Sequence, residues 1–380
     1  MGKCLSWKYF SLLLSLLLFH SQLPFSSSLS SNSQCSALLH FNHSLSLNRD
    51  AFMTTFRSDY SGIYRYSIQM CEIFYPKTGS WKEDKDCCAW DGVVCDNSTR
   101  HVIGLDLSFS CLSGSIPSNS SLFLLRHLKT LNLAGNDFNH SLISSEFGKF
   151  QSLTHLNLSH SGFTGEIPYE ISQLSSLVSL DLSRNFLSIE TPVWKRVIGN
   201  LTQLRVLLLD RTNMFSIRPN SLMMNLSSSL TTLSFHQCNL QGKLELNMFR
   251  LPSIQTLDLG KNFDLECSLP KSNSSSNSLN FLDLSYTNFS GELPDSIGSL
   301  KSLKYLYLYH CNFIGAIPTS LGNLTLITHL DLSFNHFSGE IELSLLNFMC
   351  FWRTRQTNNF QLLGIQQVCC HCQYWSCRIS

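Results

Sequence analysis

From Val102 to Phe348 the chain repeats one short phrase, Leu-x-x-Leu-x-Leu, followed by a polar residue, a bulky apolar residue, a Gly and often Ile-Pro. The phrase opens at Val102, Leu128, Leu153, Leu177, Leu204, Leu230, Ile254, Leu279, Leu303 and Ile327, ten copies at steps of 24 to 27 residues. Inside each copy, as in Leu282-Asp283-Leu284, apolar and polar positions alternate with period two, so each predicts a short strand with its leucines on one face. A single coil of this kind cannot bury its apolar row. Coils stacked at a near-constant step bury a continuous core and align their strands side by side. The pattern therefore predicts an α/β-type solenoid, a horseshoe or superhelix with one parallel sheet and about ten repeats.

The cleanest copies are Leu153 to Ser176 (LTHLNLSHSGFTGEIPYEISQLSS), Leu279 to Ser302 and Leu303 to Leu326. At these residues the chain resembles the plant-type leucine-rich repeat, in which Gly-x-Ile-Pro ends each turn. The polar slot after the strand is Asn136, Asn185, Asn262 or Asn335 in four copies, where an amide can satisfy backbone groups of adjacent turns. The other six carry Ser110, Ser161, Thr212, Cys238, Thr287 and Cys311, with fewer or weaker hydrogen-bonding atoms, which predicts an incomplete ladder. Cys238 and Cys311 are expected as buried structural thiols. Gly165, Gly291, Gly315 and Gly339 predict positive φ, and the prolines after Ile167, Leu293 and Ile317 an extended outer segment.

The periodicity fails at both ends. Residues 1–30 hold Lys3 and Lys8, the apolar run Phe10 to Phe19 and a Ser-rich stretch, the layout of a secretory signal peptide. Ten apolar residues fall short of the ~20 that cross a bilayer. Residues 31–101 contain Cys35, Trp81 and the run Cys87-Cys88-Ala89-Trp90-Asp91-Gly92-Val93-Val94-Cys95. This segment resembles the N-terminal cap of plant extracellular leucine-rich-repeat proteins, and the resemblance implies the pairs Cys35–Cys87 and Cys88–Cys95. Cys71 has no assignable partner, and the states of Cys111 and Cys267 are open. Residues 102–348 are the repeats. Residues 349–380 have neither the leucine spacing nor a recognisable C-terminal cap, so a disordered or frame-shifted tail is expected; its Cys369, Cys370, Cys372 and Cys377 match no common metal-ligand spacing.

Secretion fits the sequons Asn42, Asn97, Asn119, Asn139, Asn200, Asn225, Asn273, Asn288 and Asn323 as glycosylation candidates. A tenth, Asn157, lies on a strand, where a glycan would clutter the sheet face. Net charge is +1 at neutral pH, which gives no reason to expect nucleic acid or a membrane surface as partner. No Gly-x-Ser-x-Gly elbow, His-Glu-x-x-His or phosphate-cradling loop is present, so no enzyme, cofactor or metal is expected. Asp106, Asp181, Asp258, Asp283 and Asp331 recur at one slot and are expected as a surface ladder, kept apart by Asn132, Asn157, Leu208, Ser234 and Tyr307.

The outward positions form the candidate ligand-binding face. Reading the second residue after each strand's last core residue gives the column Phe109, Gly135, His160, Arg184, Arg211, Gln237, Lys261, Tyr286, His310 and Phe334, with cations in repeats four, five and seven and Tyr286, His310 and Phe334 in repeats eight to ten. Phe281, Tyr305, Tyr307, Tyr309 and His329 join them. Aromatic side chains at this density favour recognition of a peptide, protein or carbohydrate. The chain resembles the plant receptor-like proteins over residues 1–348. That resemblance implies a ligand-binding ectodomain of a cell-surface receptor in defence or development, signalling through a membrane receptor kinase. It also implies a truncated form, secreted if it is the true product, since the family's further repeats, cap, membrane helix and tail are missing. A soluble secreted inhibitor resembling polygalacturonase-inhibiting proteins, or an inactive fragment, is the alternative.

Overall fold

The computed structural model describes residues 31–47, 75–222, 226–244, 251–267, 269, 278–339, 351–352 and 368–369. The expected signal peptide, the 48–74 stretch with Cys71, the sequons Asn225 and Asn273, and most of the tail lie outside the described residues.

Every coil contributes one strand to a single sheet. Strand β1 (Val93–Cys95) pairs antiparallel with β2 (Val102–Asp106). A parallel run continues through β3 (Thr130–Asn132), β4 (His155–Asn157), β5 (Ser179–Asp181) and β6 (Val206–Leu208). It goes on through β7 (Thr232–Ser234), β8 (Thr256–Asp258), β9 (Phe281–Asp283), β10 (Tyr305–Tyr307) and β11 (His329–Asp331), completing 11 strands. Register is unshifted from coil to coil: Leu257 faces Leu282, which faces Leu306, which faces Leu330. These inward leucines are buried on one continuous core, because the period of two sends every second side chain to the same face.

A second sheet, which the repeat pattern did not announce, runs beside the first. Its five parallel strands are Gln241–Lys243, Asp264–Cys267, Asn288–Glu292, Asn312–Gly315 and His336–Phe337, and a shorter parallel pair joins Thr164–Glu166 to Phe186–Ser188. Gly165, Gly291, Gly315 and Gly339 do take positive φ, at 82°, 91°, 77° and 89°. Pro168, Pro294 and Pro318 hold the extended conformation and lead into 3₁₀ turns on the outer side. Those turns pack tightly: a Cβ at Gly298 would lie 2.2 Å from the Ser320 carbonyl oxygen of the next coil, so only glycine permits the approach. Coil four is the longest, and its extra residues form a ten-residue α-helix, Thr191–Asn200, whose Trp194 is buried edge-on to Phe235.

The polar ladder is more complete than the residue types suggest. Asn185 accepts from the N–H groups of Ser161 and Phe163 and donates to the carbonyls of Leu158 and Leu182, at 2.8 to 3.1 Å. Asn136, Asn262 and Asn335 repeat the same reach to the preceding coil. Where the amide is missing, Ser161 Oγ donates to Leu133 O, Cys238 Sγ to Leu209 O and Cys311 Sγ to Leu284 O. Thr212 is the exception, with a buried hydroxyl that has no partner.

The cap covers the first coil. Helix Ser31–His43 buries Leu38 and Phe41 against it, and Gln34 accepts from Val102 N–H at 2.8 Å. Trp81 stacks on Trp90 at 5.2 Å. The disulfides are Cys35–Cys87 and Cys88–Cys95, as the family signature implied. Cys111 is also disulfide-bonded, while the Cys267 thiol donates to Leu244 O. In the tail, Phe351–Trp352 pairs antiparallel with Val368–Cys369. Among the described residues no helix is long and apolar enough to cross a membrane.

Candidate functional site

The face of the main sheet opposite the leucine core is built from repeated slots, and its geometry starts with the backbone. Phe109, Gly135, His160, Arg184, Arg211, Gln237, Lys261, Tyr286, His310 and Phe334 all have φ between 51° and 69°. The column that hydrophobic patterning places on the strands thus lies just beyond them, in a left-handed turn. Nine of these residues donate their N–H to the next coil, as Tyr286 does to Tyr309 O at 2.8 Å and His310 to Ser333 O at 3.0 Å. Each coil's main chain is therefore held by its neighbour whatever side chain the position carries.

What allows the turn is an acceptor three residues before the left-handed one. The side-chain Oδ1 of Asp106, Asn132, Asn157, Asp181, Asp258, Asp283 and Asp331 accepts the N–H of the second residue onward, at 2.7 to 3.1 Å. Short carboxylates and amides are the side chains that close such turns. Coil six has Ser234 at that slot, and there Asp210 of coil five takes over, accepting from His236 N–H at 3.2 Å and from the Ser234 hydroxyl.

The aromatic residues of coils seven to ten come together in two stacks. In the first, Phe281 lies 5.9 Å from Tyr305 and 5.8 Å from Tyr307, and Tyr305 stacks on His329 at 4.7 Å. In the second, Tyr286 contacts Tyr309 at 5.0 Å and His310 at 5.1 Å, and Phe334 closes on Tyr309 at 4.9 Å. Phe263 extends this stack at 6.0 Å from Tyr286 and is 63% exposed, a contributor the column reading omitted because it follows Asn262 in the second sheet's segment. Arg184, Arg211 and Lys261 occupy the same turn column in coils four, five and seven, before the aromatic zone begins. Burial and the charge of Asp283 raise the Tyr307 hydroxyl pKa, so the group stays a neutral donor.

One expectation is corrected. The aspartates are not all kept apart, because Asp258 and Asp283 are direct partners on β8 and β9 with no neutral coil between them. His236 joins them: its Nδ1 lies 3.1 Å from Asp258 Oδ1, and one donor atom from each of His236, Asp258 and Asp283 falls within 4.8 Å of the others. Reading the slots down the stack instead of along the chain exposes this adjacency. Burial pushes the Asp283 carboxyl up to about 6, with the Asp258 charge adding to the rise. Burial alone would depress the His236 imidazole, but the hydrogen bond and charge of Asp258, with Asp210 and Asp283 behind it, raise it.

Asn97, Asn119, Asn139, Asn200 and Asn323 are exposed, whereas Asn42 and Asn288 are half-buried, and Asn288 accepts from Asn312 at 2.6 Å. Asn157 is half-buried with its Oδ1 engaged by Ser159. The sulfurs of Cys35, Cys87, Cys88 and Cys95 are consumed by disulfides. Burial raises the Cys238 thiol well above its ordinary value and pushes Cys311 up to about 11, so both stay protonated and inert.

A family model described as Leucine Rich Repeat matches residues 152–174, 278–300 and 302–324, and a second, Leucine Rich repeat, matches 125–139 and 323–341. The sequence is 42% identical over 226 residues to receptor-like protein 6 of Arabidopsis thaliana, covering 58% of this chain and 22% of that protein. It is 42% identical over 256 residues to receptor-like protein Cf-9 of Solanum pimpinellifolium, covering 66% of this chain and 28% of that protein. The chain thus spans about a quarter of the length of the curated relatives it matches. Among solved structures, a TDR receptor is similar at a TM-score of 0.51 and 30% identity, over 59% of this chain and 37% of that one.

Proposed function

We propose, from the premise that this chain is a leucine-rich-repeat member of the plant receptor-like protein family, that it binds an extended peptide or protein segment on the sheet face of coils seven to ten. It acts as a recognition surface of a cell-surface receptor, without chemistry of its own, and relays binding through a membrane receptor kinase. The observation that carries this reading is the pair of aromatic stacks around Tyr305 and Tyr309, large contact surfaces fixed by their neighbours before any ligand arrives. Disulfides in the cap fit an oxidising compartment outside the cytosol.

Selection of a random linear-peptide library on the immobilised full chain tests it. Enriched peptides should bind at least about tenfold more weakly when Tyr305→Ala and Tyr309→Ala are combined, and equally well when the outer-side Tyr169→Ala is made. Enrichment indifferent to the aromatic pair would overturn the reading. Dose-dependent inhibition of a fungal polygalacturonase would favour the inhibitor instead.

A further inference from the structure

We propose that His236, Asp258 and Asp283 form a binding site for one zinc-class divalent cation at the centre of the sheet face. Three coils supply the donors: an imidazole nitrogen from coil six and one carboxylate each from coils seven and eight, all within 4.8 Å. The set is mixed, and that decides the class of ion. Calcium and magnesium take oxygen donors, whereas one imidazole with two carboxylates suits zinc and its neighbours among the transition metals.

Two further features of the fold single out this place. Down the strand slot that holds the aspartates, coils seven and eight are the one adjacent carboxylate pair, held opposite each other by the unshifted register of β8 and β9. Like charges directly across neighbouring strands cost stability, and a bound dication converts that cost into ligation. Next to them, coil seven carries Gly260 where coils five and six carry Asp210 and His236. A Cβ at Gly260 would stand 2.9 Å from His236 Nδ1 and 3.2 Å from Asp258 Oδ1, so any side chain there would crowd the gap between these two donor atoms. Metal–donor bonds of about 2.1 Å need donors about 3.4 Å apart. His236 and Asp258 are already at 3.1 Å, and Asp283 brings a donor atom within 4.8 Å of both. Asp210 accepts the His236 main-chain N–H and holds the turn that presents the ring.

The test uses the full chain, stripped with chelator and titrated calorimetrically with zinc chloride and, separately, calcium chloride. One equivalent of zinc should bind with calcium silent, and Asp283→Asn should weaken zinc binding more than tenfold while melting at least as high as the wild type in chelator. His236→Gln should weaken zinc binding to a similar degree. X-ray absorption of the zinc-loaded protein should give nitrogen and oxygen neighbours only. Absence of uptake, uptake unchanged in Asp283→Asn, or uptake lost only when Cys369, Cys370, Cys372 and Cys377 are changed to Ser with sulfur in the absorption spectrum would overturn the assignment.

Discussion

A side-chain amide inside a stack of coils satisfies four main-chain groups at once, which makes Asn185 the most exacting residue of its turn. Asn185→Ala leaves the N–H groups of Ser161 and Phe163 and the carbonyls of Leu158 and Leu182 without these partners. A loss of about 3–5 kcal/mol in urea denaturation is expected. Thr212 is the counter-case, since its buried hydroxyl has no partner, and Thr212→Val should stabilise by about 1 kcal/mol in the same assay. Charge at the residue scale has its own signature. Burial raises the Asp181 carboxyl above its ordinary 3.8, although the Ser183 and Ser159 hydroxyls and Arg184 oppose it. The folded chain therefore binds that proton more tightly than the unfolded chain. Its contribution to stability is full below pH 3.8 and is lost as the pH rises through the folded value. Asp181→Asn should remove this slope, so that denaturation midpoints of variant and wild type, measured across pH, diverge in favour of the variant as the pH climbs. What sequence could show at this scale was residue type. It could not show conformation, and hydropathy carries no trace of the left-handed turn that holds Tyr286, His310 and Phe334.

At the scale of the element, strands were legible because alternation has a short, unambiguous period, and all ten predicted strands are present on one sheet. The second sheet was not, because its segments such as Asn288–Glu292 carry one buried apolar residue and a glycine, too little pattern to distinguish a strand from a loop. Helix Thr191–Asn200 left only an indirect mark, the longest step between repeats, with a Pro in its first turn. The cap was readable through its cysteines, and its two bridges differ in reach: Cys35–Cys87 spans 52 residues and Cys88–Cys95 spans 7. Closing the longer loop constrains the unfolded chain more. Replacing Cys35 and Cys87 with Ser should cost about 2–5 kcal/mol, and replacing Cys88 and Cys95 less, as read by calorimetric melting.

Taken whole, the molecule is close to one-dimensional, since each coil touches the coil before and the coil after. Damage should stay local. Leu207→Ala, which hollows coil five, should cost about 2–5 kcal/mol and speed hydrogen exchange in coils four to six, leaving the Leu306 and Leu105 strands near wild-type rates. Uniform acceleration from cap to coil ten would refute this picture. The same geometry explains which parts of the candidate site were foreseeable. The aromatic zone is a run of like residues in equivalent slots, visible once the copies are aligned. The His236, Asp258 and Asp283 grouping is oblique, drawing on two different slots in three coils, and only the folded register reveals it. A last consequence follows from the left-handed row and its N–H bonds to the neighbouring coil. Its ten positions include no Val, Ile or Thr, the branched side chains least tolerant of that backbone. Unbranched side chains other than proline can be exchanged at most of these positions while the N–H bonds stay as they are, Gly135 excepted because a Cβ there would meet the Phe109 ring at 2.4 Å. A duplicated gene could thus acquire a new taste in partners by rewriting a handful of codons along one line, without relearning how to fold.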